Sequence, residues 1–237
     1  MRLLPYAHDG LHGPNACSQC HADKSAQWAA DAIKAWYPAP KSGAQSFAEA
    51  FHLGDRGAPG AQSALIHVLE DTSLSGIVRA SAISRLSRYP SRQVIAAIAR
   101  ALQVNHPDVR SAAIAALSRL EPAARQALLV SLLKDETRLV RMDAARELAG
   151  DSERGLAPEH RQLFEEAIAE YVAAQLFNAE RPESHANLGA LYFKRGRTEE
   201  ARAAFAEAIA IDPTFVPADI SLADLERSGG NERAGES

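Results

Sequence analysis

Asp108-Val109-Arg110-Ser111-Ala112-Ala113-Ile114-Ala115-Ala116-Leu117 decides the fold, because its pattern occurs once before and once after it at a fixed distance. Ile77-Val78-Arg79 stands 31 residues upstream and Leu139-Val140-Arg141 31 residues downstream, in register. Ala82, Ala113 and Ala144 keep the same spacing, as do Leu86, Leu117 and Leu148. Three copies at one period mark stacked supersecondary units, each too small to bury its apolar face alone. Each copy reads as an apolar helix (Ala64 to Leu69, Val94 to Leu102, Ala127 to Leu133), a short turn with an acidic residue, and a second helix opened by the Val-Arg pair. The recurring alanines allow paired helices to approach closely.

These units resemble HEAT-type repeats, which implies an all-α fold, an α-solenoid of helical hairpins. The arginines at 79, 110 and 141 are read as structural. Near the start of each second helix they can bond acidic residues or carbonyls of the adjoining turn, as at Asp71, Asp108 and Asp135. After Gly150 the period changes. Leu188-Gly189, Tyr192, Gly196, Ala201, Phe205, Ala208 and Pro213 resemble the tetratricopeptide pattern, with His185 where a tryptophan is usual. Ala167, Tyr171 and Ala174 supply the second helix of an earlier copy, whose first helix is poorly matched by Asp151 to Pro158. Leu222, Ala223 and Gly230 begin a further copy that stops within Asn231 to Ser237. The expected organisation is therefore a segment 1–59, HEAT-like repeats over 60–150, and tetratricopeptide repeats over 160–237 with the last one truncated.

Ahead of the repeats lies Asn15-Ala16-Cys17-Ser18-Gln19-Cys20-His21, which holds both cysteines of the chain. This is the attachment spacing of a c-type haem. Two thiols one turn apart can each add to a vinyl group on one haem edge, and the adjacent imidazole can then reach the iron. Cys17 and Cys20 are thus the candidate thioether positions, and His21 the candidate iron ligand. Three other readings compete. A structural zinc site wants four ligands, which His8, His12 and His21 could complete only by folding back. A thioredoxin-like dithiol wants a preceding strand, whereas Gly13-Pro14-Asn15 precedes the cysteines. Chance is the third, and with 8 His in 237 residues it is a small one.

A helix is expected from Cys17, capped by Asn15, with Trp28, Ala32, Ala35 and Trp36 on one face. An aromatic pair at that spacing is core more often than a cofactor box. Pro38 and Pro40 should end the helix, and a looser Lys41-Ser42-Gly43 should lead to a short helix from Phe47 to His52, stopped by Gly54 and Gly57. His52, His8 and His12 are the candidates for a sixth iron ligand. The connection from Pro38 to Ser46 can span up to about 30 Å, enough to return His52 to the haem. A ligand from a missing domain, or none, remains the alternative.

Composition fits a globular protein with an alanine-rich core: 46% hydrophobic, 24% charged and 6% aromatic residues. A net charge of −4 gives no electrostatic reason to expect nucleic acid or an anionic membrane. No run of 18 apolar residues occurs, so no membrane span is expected. Met1-Arg2-Leu3-Leu4-Pro5 is too short for a secretory h-region. Haem is attached to cysteines outside the bacterial cytoplasm, so a loaded chain is expected in the periplasm or otherwise exported. The chain would then be the carboxy-terminal part of a longer exported protein, or have a wrongly assigned start.

From Gly13 to Trp28, followed by the repeats, the order of parts resembles the carboxy-terminal region of bacterial multihaem cytochromes c with Cys-x-x-Cys-His motifs and HEAT and tetratricopeptide repeats. That resemblance implies one covalent haem c, electron transfer and a redox partner, with protein partners on the repeats. The alternative is a protein-interaction scaffold whose haem motif is unloaded or vestigial. No Ser-His-acid cluster, phosphate loop or carboxylate pair stands out, so the sequence points away from an enzyme and names no catalytic residue.

Overall fold

The computed structural model describes residues 16–36 and 47–228, which are all helix, turn or irregular, with no strand among them. Asn15, Pro38, Pro40, Lys41 to Gly43 and Gly230 to Ser237 lie outside the described residues, as do His8 and His12. The chain forms two compact units that divide between Ala116 and Leu117, inside the 60–150 repeat span.

The first unit opens with a 3₁₀ turn, Ala16–Gln19, and continues through helices α1 (Ala26–Trp36), α2 (Ala48–Arg56), α3 (Ala61–Glu70), α4 (Gly76–Leu86), α5 (Arg92–Ala101) and α6 (Pro107–Ala116). The α3–α4 and α5–α6 pairs are the first two 31-residue copies. Contacts join α3 to α4, α4 to α6 and α3 to α5, so the hairpins stack in chain order. Leu65, Leu69, Ile83, Leu86, Ile98, Val109 and Ile114 fill the core, and Ala82 and Ala113 are fully buried where the helices meet.

The amino-terminal helix does not start at Cys17. The chain turns once over 16–19, and α1 begins at Ala26, where the Ser25 hydroxyl accepts the Trp28 N–H at 3.1 Å and takes the capping role expected of Asn15. The tryptophans of α1 are not core either. Trp28 is 39% and Trp36 70% exposed, while the adjacent Ala29 and Ala30 are buried. The buried positions of this helix are small residues, and of its two large rings Trp36 is mostly exposed and Trp28 partly so.

Helix α2 also departs from expectation, passing through Gly54 and ending only at Gly57, whose φ of 64° suits a left-handed C-cap. Gly54 is there for packing. A Cβ on it would lie 2.8 Å from Leu65 Cδ1, so its absence is what lets α2 settle on α3. The Tyr89 hydroxyl donates to the Gly54 carbonyl at 2.8 Å.

The second unit comprises α7 (Pro122–Leu129), a 3₁₀ turn (Val130–Lys134), α8 (Arg138–Leu148), the single turn α9 (Asp151–Arg154), α10 (Pro158–Leu176), α11 (Pro182–Lys194), α12 (Thr198–Ile211) and α13 (Val216–Ser228). The third 31-residue copy is α7 with its 3₁₀ extension, paired with α8. Ala144 and Leu148 are fully buried at the same register as Ala113 and Leu117.

No full helix forms over Asp151 to Pro158. Gly150 (φ 92°) and Gly155 bracket four residues, and Pro158 then begins α10. Instead of pairing with such a helix, the 19-residue α10 packs on α8 and on α11. The short α9 works as a buckle. Glu153 accepts the Gly150 N–H at 3.3 Å and meets Arg195 at 2.8 Å; Arg195 also pairs with Glu165 and lies over the Phe164 ring. Further on, α11 and α12 approach through Gly189, whose absent Cβ would fall 2.5 Å from Phe205 Cε1. Ala201, Phe205 and Leu225 form a buried cluster with Tyr192 and Leu222 packed against it.

Candidate functional site

The repeated arginines come first, since they could be structural or a binding row. Arg79 donates to the Leu69 carbonyl, Arg110 to the Val104 carbonyl and Arg141 to the Asp135 carbonyl, each at 2.8 Å. These are carbonyls at the end of the first helix or in the turn after it, which helix geometry leaves without partners. Arg79 and Arg110 are buried in this role, and Arg141 adds a two-pronged pair with Glu170. The bonds go to backbone oxygens, while the turn carboxylates serve their own turns. Asp71 accepts from the Ser73 N–H and hydroxyl, and Asp135 from the Thr137 N–H. The bonds from Ser73 hold the Asp71 carboxyl below the usual carboxylate range.

The cysteine turn is the first candidate site. Cys20 N–H and His21 N–H both donate to the Cys17 carbonyl, at 3.2 and 2.9 Å, so one turn gathers all three residues. Cys17 is half-buried, Cys20 and His21 are exposed, and no disulfide joins the cysteines. Sequence reasoning did not foresee the contact between the His21 and Trp28 rings, with centroids 4.9 Å apart and planes tilted by 55°. Two thiols and an imidazole on one open turn are the donor types that a covalently held haem would need: Cys17 and Cys20 would hold it and His21 would bind its iron. Of the sixth-ligand candidates, His52 is half-buried in α2, and His8 and His12 lie outside the described residues. Among the described residues no three His, Cys, Asp or Glu side chains gather as a metal site.

A second candidate is the exposed apolar surface of the last helices. Phe193 on α11 is 41% exposed, and Val216 and Ile220 on α13 are 58% and 57% exposed. Val216 and Ile220 are four residues apart, which puts them on one helix face. Helices α11 and α13 are in contact, and both pack on α12. The i, i+4 spacing was the available signal for this face, but the tetratricopeptide pattern is defined by its buried positions and says nothing of the exposed ones. His185 replaces the usual tryptophan and uses its ring, Nε2 to the Ala179 carbonyl at 2.8 Å, to tie α11 to the preceding turn.

The two repeat arrays match known families. Residues 63–149 match HEAT repeats, and residues 182–215 match the tetratricopeptide repeat. Neither a curated protein nor a solved structure matches the chain. With the all-helical hairpins described above, these matches define the class: a helical-repeat protein of α-solenoid type, carrying HEAT repeats followed by a tetratricopeptide repeat. No described helix is long and apolar enough to cross a membrane.

Proposed function

We propose that the chain is a protein-interaction scaffold. The observation that carries this reading is the pair of repeat matches, because helical repeats stack into extended surfaces whose exposed positions are free to meet a partner. The exposed Phe193, Val216 and Ile220 are the apolar residues offered for that contact. Cross-linked capture of a partner from the native host should be lost on Phe193→Asp with Ile220→Asp at unchanged circular dichroism. Capture that survives both substitutions removes this surface from the reading.

A second reading is favoured by the turn that gathers Cys17, Cys20 and His21 beside Trp28. In it the scaffold would also carry one covalent haem c, held through thioethers at Cys17 and Cys20, with His21 as the residue that would bind the iron. When bound, the haem supplies one-electron transfer. The chain's own residues then hold the group by Cys17 and Cys20 and orient His21. This reading brings with it a redox partner, a periplasmic or otherwise exported location, and the likeness to multihaem cytochromes c. Protein exported through a host with a haem-maturation system should gain the mass of one haem, and Cys17→Ala with Cys20→Ala should abolish the gain. An unshifted mass beside a loaded control cytochrome rejects it.

A further inference from the structure

We propose that Trp28 is a positioning residue for His21, holding the imidazole plane in a set orientation before and after a haem is attached; this rests on the haem-carrying reading above. The geometry has three parts. The 3₁₀ turn fixes the backbone of His21 by its bond to the Cys17 carbonyl, and the Lys24 N–H then donates to the His21 carbonyl at 3.1 Å, folding the chain tightly toward α1. The Ser25 hydroxyl caps that helix through the Trp28 N–H, which places Trp28 in the first turn. Side chains of a helix lean toward its amino terminus, so a ring at this position points back over the 21–25 segment, and there it meets the imidazole at 4.9 Å.

The 4.9 Å separation is within the range of interacting aromatic rings, and the tilt of 55° lies between the offset-stacked and edge-to-face arrangements that such pairs favour. Ala29 and Ala30 make the buried contact of α1, while Trp28 keeps 39% of its surface exposed and touches the one histidine of the Cys-x-x-Cys-His turn. An imidazole on an exposed turn would otherwise rotate about its side-chain bonds, and a ligand's fixed orientation is usually supplied by its neighbours rather than by the ligand itself.

The test has one arm without haem and one with it. In the apoprotein, NMR should show cross-relaxation between the His21 ring protons and the Trp28 indole, and an upfield displacement of the His21 ring resonances that disappears in Trp28→Leu. In the matured protein, the ferric low-spin electron paramagnetic resonance spectrum reads the imidazole plane. Its g values should shift or broaden in Trp28→Leu and be restored in Trp28→Phe. Absence of the ring contact in the apoprotein overturns the proposal while leaving the haem reading intact, because haem loading is read separately from the mass. A contact that is present, with g values unmoved by Trp28→Leu, overturns it as well. A wild-type protein that takes up no haem overturns both.

Discussion

Gly189 gives the sharpest test of how the second unit is packed, because two opposed effects of known size meet there. In Gly189→Ala the new methyl would sit 2.5, 2.6 and 2.9 Å from three carbons of the Phe205 ring. Carbon contacts settle at about 3.5 to 4 Å, so the ring must retreat by about 1 Å. It has little room to do so, being buried in one cluster with Ala201 and Leu225. Overpacking of this kind costs about 1–3 kcal/mol. Against that, alanine inside a helix is worth up to about 1 kcal/mol over glycine. The net expectation is a loss of about 0–2 kcal/mol, or up to roughly 8 °C in the calorimetric transition of this unit. Gly54→Ala is the control. Its methyl meets the end of the buried Leu65 side chain at 2.8 Å, and a leucine terminus can shift where a ring cannot, so the loss should be smaller than at Gly189. In a Phe205→Leu background Gly189→Ala should become neutral or stabilising, giving a coupling of at least about 0.5 kcal/mol. A higher transition temperature for Gly189→Ala alone, or an additive cycle, would refute the close approach of α11 and α12.

Other expectations follow from single contacts. Ala113→Leu, at the fully buried middle position of the 31-residue register, should cost about 1–3 kcal/mol in chemical unfolding, and a neutral result would count against that packing. Arg195→Met should cost about 1–3 kcal/mol, less than for a fully buried pair, because Glu153 and Glu165 lose a shared guanidinium that is only 12% exposed; unchanged urea unfolding would remove the buckle role of α9. Asp212 accepts the Thr214 N–H and hydroxyl, bonds that lower its pKa in the folded chain. The unfolded chain therefore binds this proton more readily, and the stabilisation is present above the ordinary value of 3.8 and lost as pH falls through the lower folded value. The stability gap between wild type and Asp212→Ala should narrow as pH falls below the ordinary value of 3.8, and a gap that stays constant on acidification would sink the assignment.

The helical hairpins were legible because their information is local and repeated. Arg79, Arg110 and Arg141 stand one period apart, and each does the same work on a carbonyl of the preceding helix end or turn, so the sequence pattern is a direct record of a backbone need. The tetratricopeptide match was legible for a related reason: Gly189 and Phe205 are complementary in size at one contact. Where the reading failed, a local signal lost to a tertiary one. Gly54 looked like a helix stop, yet the close approach of Leu65 makes glycine the residue that fits inside the helix. Trp28 and Trp36 looked like core, yet the alanines next to Trp28 take the buried side of α1. Asn15 looked like the cap, but Ser25 lies where the chain actually turns into a helix. The Cys17, Cys20 and His21 cluster was legible as spacing. The neighbour that meets His21 was not, because it is seven residues away across a turn that no periodicity describes.

The turns carry a further regularity. Asp71-Thr72-Ser73, Asp135-Glu136-Thr137 and Asp212-Pro213-Thr214 each link two helices, and in each the carboxylate accepts the N–H two residues on. The same short device thus closes hairpins in the HEAT-like and the tetratricopeptide parts, whose helices otherwise follow different patterns. A chain whose turns and helix-end carbonyls are satisfied within a few residues leaves its exposed positions with little to do in folding. Exposed large apolar residues then stand out against that background. Trp28 and Trp36 in the cysteine segment and Phe193, Val216 and Ile220 on the last helices are among them, as are Ile77, Leu139, Leu176 and Phe177 elsewhere on the repeats, and the first five fall where function is proposed. Substituting those five should therefore separate binding from stability, which no change at Ala113, Gly189 or Arg110 can do.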